Sequence, residues 1–186
     1  MRQGTSASVE SPTRHSPPEA DDGAAVAGKG RALVAALALM LVAADQASKS
    51  AAHSLLPSEG LRLWRFLSLT PTRNTGGVFG IFKGYPHLFT AAALLISLGA
   101  VAWAWRSAGR SRLLDLSLAL LLAGALGNVA DRLILGYVRD FVDLGLWPAF
   151  NLADACLTTS VVLLSLWAWL SSRKKGQTGS GFYPPA

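Results

Sequence analysis

FNLADACLTTSVVLLSLWAWLSSRKK, residues 150–175, is apolar enough to cross a bilayer, yet it carries a carboxylate, Asp154, just inside its start. A hydrocarbon layer of roughly 30 Å takes about 20 helical residues at ~1.5 Å each. A charge held within that layer costs about 3 kcal/mol even on mild scales. Asp154 therefore needs water, a partner or a task. Asn151 suits a helix N-cap, and Asp154 then occupies the third helical position, where a carboxylate favours the positive end of the helix dipole.

The rest of the chain sets that segment among others like it. The 186 residues are 51% hydrophobic and 15% charged, with the polar residues gathered in blocks. This excludes an ordinary soluble domain. Apolar stretches at 31–50, 87–105 and 113–130 join 152–172 as spans. The expected fold is thus mostly α: a polytopic membrane protein with four transmembrane helices in a membrane domain over 31–175. Residues 1–30 and 176–186 are rich in Ser, Pro and Gly, cannot bury a core, and are expected to be disordered tails. The first span also has the small-residue ending of a cleavable signal sequence, but the long leader before it and the helical continuation through DQASK favour an uncleaved anchor. The one cysteine, Cys156, is expected to be a packing residue. The net charge of +6 suits anionic lipid headgroups, and no basic patch with interleaved aromatics points to nucleic acid.

Basic residues near the span ends set the orientation. Lys29 and Arg31, then Arg106, Arg110 and Arg112, then Arg173, Lys174 and Lys175 fall on one side, so both termini are expected in the cytoplasm. Asp45, Asp131, Asp140, Asp143 and Asp154 then all fall at the opposite, outer face. Asp115 alone lies at the cytoplasmic end, three residues from Arg112, where an ion pair is expected. Carboxylates gathered at one interface suggest a site there.

The outer connections are patterned. LRLWRFLSLT (61–70) reads as an amphipathic strand with Leu61, Leu63, Leu67 and Leu69 on one side, and NTGGVFGIF (74–82) as a Gly-Gly hairpin turn, so a small β-sheet over the helix ends is expected. Its edge could accept an extended peptide. In DQASK, Asp45 and Lys49 share a helix face and can neutralise each other. In GNVADRL, Asn128 and Asp131 share a face, and Arg132 can pair with a carboxylate. Each of these, alone, has a sufficient structural reason.

Together they say more. DQASK ending a first span, NTGGVFGIF after an outer strand, GALGNVADRL ending a third span, VRDF, and PAFNLADA opening a fourth resemble, in that order over residues 31–175, the lipoprotein signal peptidases. These are signal peptidase II, bacterial membrane aspartyl proteases. The resemblance implies an endopeptidase that cuts prolipoproteins immediately before a diacylglyceryl-modified cysteine, at the extracytoplasmic face of the cytoplasmic (inner) membrane. It implies Asp140 and Asp154 as the catalytic pair. Asp45, Asn74, Asn128, Asp131, Arg132 and Asn151 match the family's supporting polar residues, with Lys49 and Gly76 beside them in the same motifs. No cofactor and no metal are implied; membrane lipids are partners, and a monomer is expected.

Two carboxylates brought close share a proton, so one can accept from water while the other donates to a carbonyl oxygen. Two other classes stay open on the residues alone: a small four-helix transporter using its acids for ions or protons, and a noncatalytic scaffold. A transporter more naturally places its carboxylate near mid-span, and a scaffold leaves the gathered acids unexplained.

Overall fold

The structure, a computed structural model, describes residues 20–75 and 86–178. Four helices, α1 (Ala20–Leu55), α2 (Pro86–Ser107), α3 (Arg112–Leu135) and α4 (Leu152–Thr178), alternate with three strands, β1 (Leu61–Trp64), β2 (Leu67–Asn74) and β3 (Val138–Asp143). Gly23–Leu55, Arg112–Leu135 and Leu152–Arg173 are long and apolar enough to span a membrane, and α2 contributes the shorter apolar helix Leu94–Trp103 within its 22 residues.

α3 is the hub. About 67% of its apolar window is buried, against 17% for α1 and 11% for α4, because the other three helices pack around it while turning their own Leu and Val side chains outward. Lipid is as good a solvent for those side chains as a protein core, so only the hub needs to be enclosed. Small residues let the packing close. A Cβ on Gly124 would stand 2.5 Å from the Ala153 carbonyl oxygen, and one on Gly127 would stand 2.6 Å from Asp45 Oδ2. α4 and α1 therefore reach the α3 backbone itself.

The ends of α3 are fixed locally. Ser111, extended at φ −160°, accepts the Leu114 N–H on its hydroxyl at 3.1 Å, and Gly136, left-handed at φ 81°, closes the last turn on Arg132. Gly136 thus turns the chain out of the span and into β3 two residues later. The sheet is antiparallel in the order β1-β2-β3, with Thr72 opposite Asp140 and Asn74 opposite Val138.

Several expectations need correction. The helices outrun their apolar windows, since lipid sets the length of a span but backbone hydrogen bonding sets the length of a helix. α1 is already helical at Ala20, so residues 20–30 are not a disordered leader, and Gly30 packs directly on the backbone of Gly109. α4 likewise stays helical to Thr178. LRLWRFLSLT is not one strand with its leucines in a row; a turn at Arg65–Phe66 folds it into the β1–β2 hairpin. The third strand of the described sheet is VRDFVD. The proposed turn at Gly76 lies outside the described residues. Asp115 forms no ion pair with Arg112: buried, it accepts the Gly109 N–H at 2.9 Å and holds the α2–α3 turn.

Candidate active site

Asp45, Asp131, Asp140 and Asp154 converge where α1, the end of α3, β3 and the start of α4 meet, and their partners divide them into two pairs, while Asp143 stands apart, accepting the Gly145 N–H. Asp45 and Asp131 are buried against cations. Lys49, whose side chain is fully enclosed, lies 2.8 Å from Asp45 Oδ2 and 3.6 Å from Asp131 Oδ2, and also donates to Asn128 Oδ1 at 3.0 Å. The expected pairing of Asp45 with Lys49 is thus present. Asp131 takes a second cation: the Arg139 guanidinium reaches Oδ1 at 2.8 Å and Oδ2 at 3.3 Å, while the Arg139 backbone N–H donates to Oδ2 at 2.9 Å. Two carboxylates and two cations close a neutral buried cluster.

Both of these acids also serve the backbone. Asp45 Oδ1 accepts the Ala153 N–H at 2.9 Å, satisfying a first-turn donor of α4 that its own helix cannot. Asp131 pins the start of β3 to the end of α3. Arg132, the partner suggested by adjacency in the sequence, is not within ion-pair distance of any carboxylate among the described residues; it donates to the Asn128 carbonyl at 3.4 Å. Successive helical residues point about 100° apart, so Asp131 faces inward and Arg132 lies to one side.

Asp140 and Asp154 are different. Among the described residues neither has a cation within ion-pair distance, and each is held by neutral donors. Asn74 Nδ2 donates to Asp140 Oδ2 at 3.0 Å across the β2–β3 ladder, and Asn151 Nδ2 donates to Oδ1 at 2.6 Å. Asn128 Nδ2 donates to Asp154 Oδ1 at 2.8 Å, and the Asn151 backbone N–H donates to Oδ2 at 3.2 Å. Asn151 Oδ1 in turn accepts the Asp154 N–H at 3.0 Å. This reciprocal bonding of N-cap and third helical position is the cap expected from the sequence. One residue, Asn151, therefore holds both acids: one by its side chain, the other by its backbone.

Burial sets the electrostatics of Asp140. Asp140 is 1% exposed. Enclosure pushes its carboxyl up from 3.8 to about 6, helped by the neighbouring charge of Asp154 and opposed by the amides of Asn74 and Asn151 and by Lys49. Arg139 is raised above its ordinary value by its hydrogen bond to Asp131, against the opposing effect of burial.

Asp154 is the half-buried member and opens onto two clefts. One, of about 230 Å³, lies between α2, α3 and α4, with Asn128 and Arg132 at its polar end and Ile96 and Leu157 at its apolar end. The other, of about 400 Å³, runs beneath the β3–α4 loop past Trp147, Phe150 and Thr158. Among the described residues no three His, Cys, Asp or Glu side chains are grouped to hold a metal ion. Cys156 is buried and free.

Of the residues singled out from sequence, Asp45, Lys49, Asn74, Asn128, Asp131, Asp140, Asn151 and Asp154 come together in one bonded network. Arg132 stands at its edge, on the cleft. Three members were missed. Gln46 bridges Asp131 and Arg139, at 3.2 and 2.8 Å. Arg139 ties β3 to both α1 and α3 through Ser50, Gln46 and Asp131. His53 Nε2 lies 3.3 Å from the Asp140 carbonyl oxygen. Gln46 and Arg139 sit inside the motifs DQASK and VRDF, beside the acids that mark those motifs.

A family model described as Signal peptidase (SPase) II matches residues 37–170. A lipoprotein signal peptidase of Syntrophomonas wolfei is 40% identical over 139 residues, covering 74% of this chain and 93% of that protein. One of Moorella thermoacetica is 40% identical over 144 residues, covering 76% and 95%. One of Streptococcus pneumoniae is 36% identical over 140 residues, covering 73% and 92%. Among solved structures, a bacterial membrane enzyme determined by the in meso method at 2.3 Å superposes with a TM-score of 0.66 at 26% identity, covering 82% of this chain and 94% of that one.

Proposed function

Because the chain belongs to the signal peptidase II family, aspartic peptidases that cleave signal peptides from prolipoproteins, we propose that Asp140 and Asp154 are its catalytic pair and that it cuts immediately before a diacylglyceryl-modified cysteine. The observation that carries this reading is the division of the acids. Asp45 and Asp131 are neutralised by Lys49 and Arg139, whereas Asp140 and Asp154 meet only neutral donors and are joined through Asn151. Burial, reinforced by the neighbouring charge of Asp154, raises Asp140, and two such acids without counter-ions can share a proton.

The chemistry follows from that shared proton. The ionised member takes a proton from water as the water oxygen bonds to the scissile carbonyl carbon, and the protonated member donates to the carbonyl oxygen. As the tetrahedral species collapses, the C–N bond breaks and the nitrogen leaves with a proton returned by the pair. The proton belongs to the pair rather than to either residue. The scissile bond would sit over Asp154, where the two clefts meet; the mostly apolar walls of both suit a lipid-bearing substrate. Asn128, Asn151 and Asn74 orient the acids, and Lys49, Asp45, Asp131 and Arg139 hold the elements that carry them.

In this reading the protein lies in the bacterial cytoplasmic membrane with both termini inside and the acids at the outer face, as the basic flanks of the spans favour. A cysteine at position 53, in a protein lacking Cys156, should then react with an impermeant reagent added from outside, and reaction only from the cytoplasmic side would reverse the orientation. The substrate reading is tested with purified protein and one precursor in two forms. The diacylglycerylated form should be cut and the unlipidated form far more slowly; equal turnover would contradict selection by lipid.

A further inference from the structure

At the opposite end of the bundle from the acids, a cavity of about 440 Å³ lies between the α2–α3 turn and the last turns of α4. Arg110 and Arg112 stand on one side, and Leu113, Trp167 and Leu170 form an apolar wall, with Ser171 beside them. Both arginines are exposed, and among the described residues neither guanidinium has a partner. The acid that would neutralise Arg112, Asp115, is turned inward onto the Gly109 N–H. Trp167 is set in place by an edge-to-face contact with Trp103, centroids 6.2 Å apart. Nearby Arg173, by contrast, is occupied, 4.1 Å above the Trp169 ring.

An uncompensated pair of guanidiniums over an apolar, Trp-lined wall, at the end of membrane spans, is complementary to one kind of molecule. It presents forked donors for a phosphate and a hydrocarbon surface for what is attached to it. We propose that this cavity binds the headgroup of an anionic phospholipid, its phosphate on Arg110 and Arg112 and its glycerol and upper acyl chain along Leu113, Trp167 and Leu170. The site is remote from Asp140 and Asp154 and holds the cytoplasmic ends of α3 and α4 against the lipid leaflet.

The test uses full-length protein in neutral detergent, with tryptophan fluorescence read as lipids bearing brominated acyl chains are added. Phosphatidylglycerol should quench at lower concentration than phosphatidylcholine, by about 25-fold, or about fivefold per arginine. Trp167→Phe should remove the phosphatidylglycerol-specific part of the quench. The pair Arg110→Gln and Arg112→Gln should bring phosphatidylglycerol to the level of phosphatidylcholine while prolipoprotein cleavage keeps its rate, which reports an intact fold; the corresponding Lys pair should keep most of the preference. Inorganic phosphate at millimolar concentration should leave the lipid bound. Equal quenching by the two lipids, a preference unchanged in the Gln pair, or complete displacement by inorganic phosphate would each overturn the proposal, the last by assigning the site to a soluble anion.

Discussion

The side-chain amide of Asn151 lies 2.6 Å from Asp140 Oδ1, so the residue that caps α4 also holds the carboxylate of a strand in the sheet above it. The same residue's backbone N–H reaches Asp154. Helix capping and positioning of the two acids are thus one arrangement.

That arrangement separates two substitutions at Asn151. Asn151→Ala removes the cap and the bridge together, and should lower stability by about 1 kcal/mol through the cap alone while reducing turnover by at least an order of magnitude. Asn151→Ser restores a capping oxygen but does not reach Asp140; it should recover the melting temperature and leave turnover low. Thermal unfolding beside cleavage rates decides the matter. Recovery of turnover with the cap would mean that the contact with Asp140 is not needed.

Burial of Asp140 predicts the alkaline side of the pH profile. Its carboxyl is raised from 3.8 to about 6, so the neutral form is favoured by the fold; that contribution to stability is fully present below 3.8 and is lost as pH rises through about 6. Cleavage that needs one shared proton should lose rate over the same alkaline limb. Asn74→Ala removes a donor to the carboxylate, which should raise the value further and move the limb of kcat/KM to higher pH. A limb that stays in place or moves down would contradict this assignment.

Much of this was legible in the residues. The pairing of Asp45 with Lys49, the N-cap at Asn151 and the third position at Asp154 follow from helical spacing, and spacing along one helix survives folding. The partner of Asp131 was not legible, because Arg139 reaches it only after Gly136 has turned the chain back, whereas Arg132 is adjacent but points elsewhere. The strand at VRDF was not legible either, since it depends on pairing with β2, nearly seventy residues earlier in the chain. Small residues carried the packing silently: nothing in GALGNV says which of its glycines has a carboxylate on its face.

The structure does say, and predicts a contrast between glycines. A Cβ at position 127 would meet Asp45 Oδ2 at 2.6 Å and Ala153 Cβ at 3.2 Å, so Gly127→Ala should displace Asp45 from α4, lower the melting temperature by several degrees at a cost of about 1–3 kcal/mol, and depress cleavage. Gly99→Ala, with nothing within 4 Å, should be neutral or stabilising by up to ~1 kcal/mol. Similar behaviour of the two would mean that α1, α3 and α4 do not approach as described.

The central claim is that the four acids of the site divide into two that work and two that hold. It is tested most directly by single-turnover cleavage of a diacylglycerylated precursor, with binding measured in parallel, for Asp140→Asn, Asp154→Asn, their combination and Asp131→Asn at matched folded concentrations. Either dyad variant should bind substrate and fail to cut it, and the double variant should be little worse than either single, because groups acting as a unit are not additive. Asp131→Asn leaves Arg139 and Lys49 with an unbalanced charge, so it should lose about 3–5 kcal/mol of stability and yet cut in whatever fraction remains folded. Substantial cleavage by Asp140→Asn or Asp154→Asn, or complete inactivity of folded Asp131→Asn, would contradict the division.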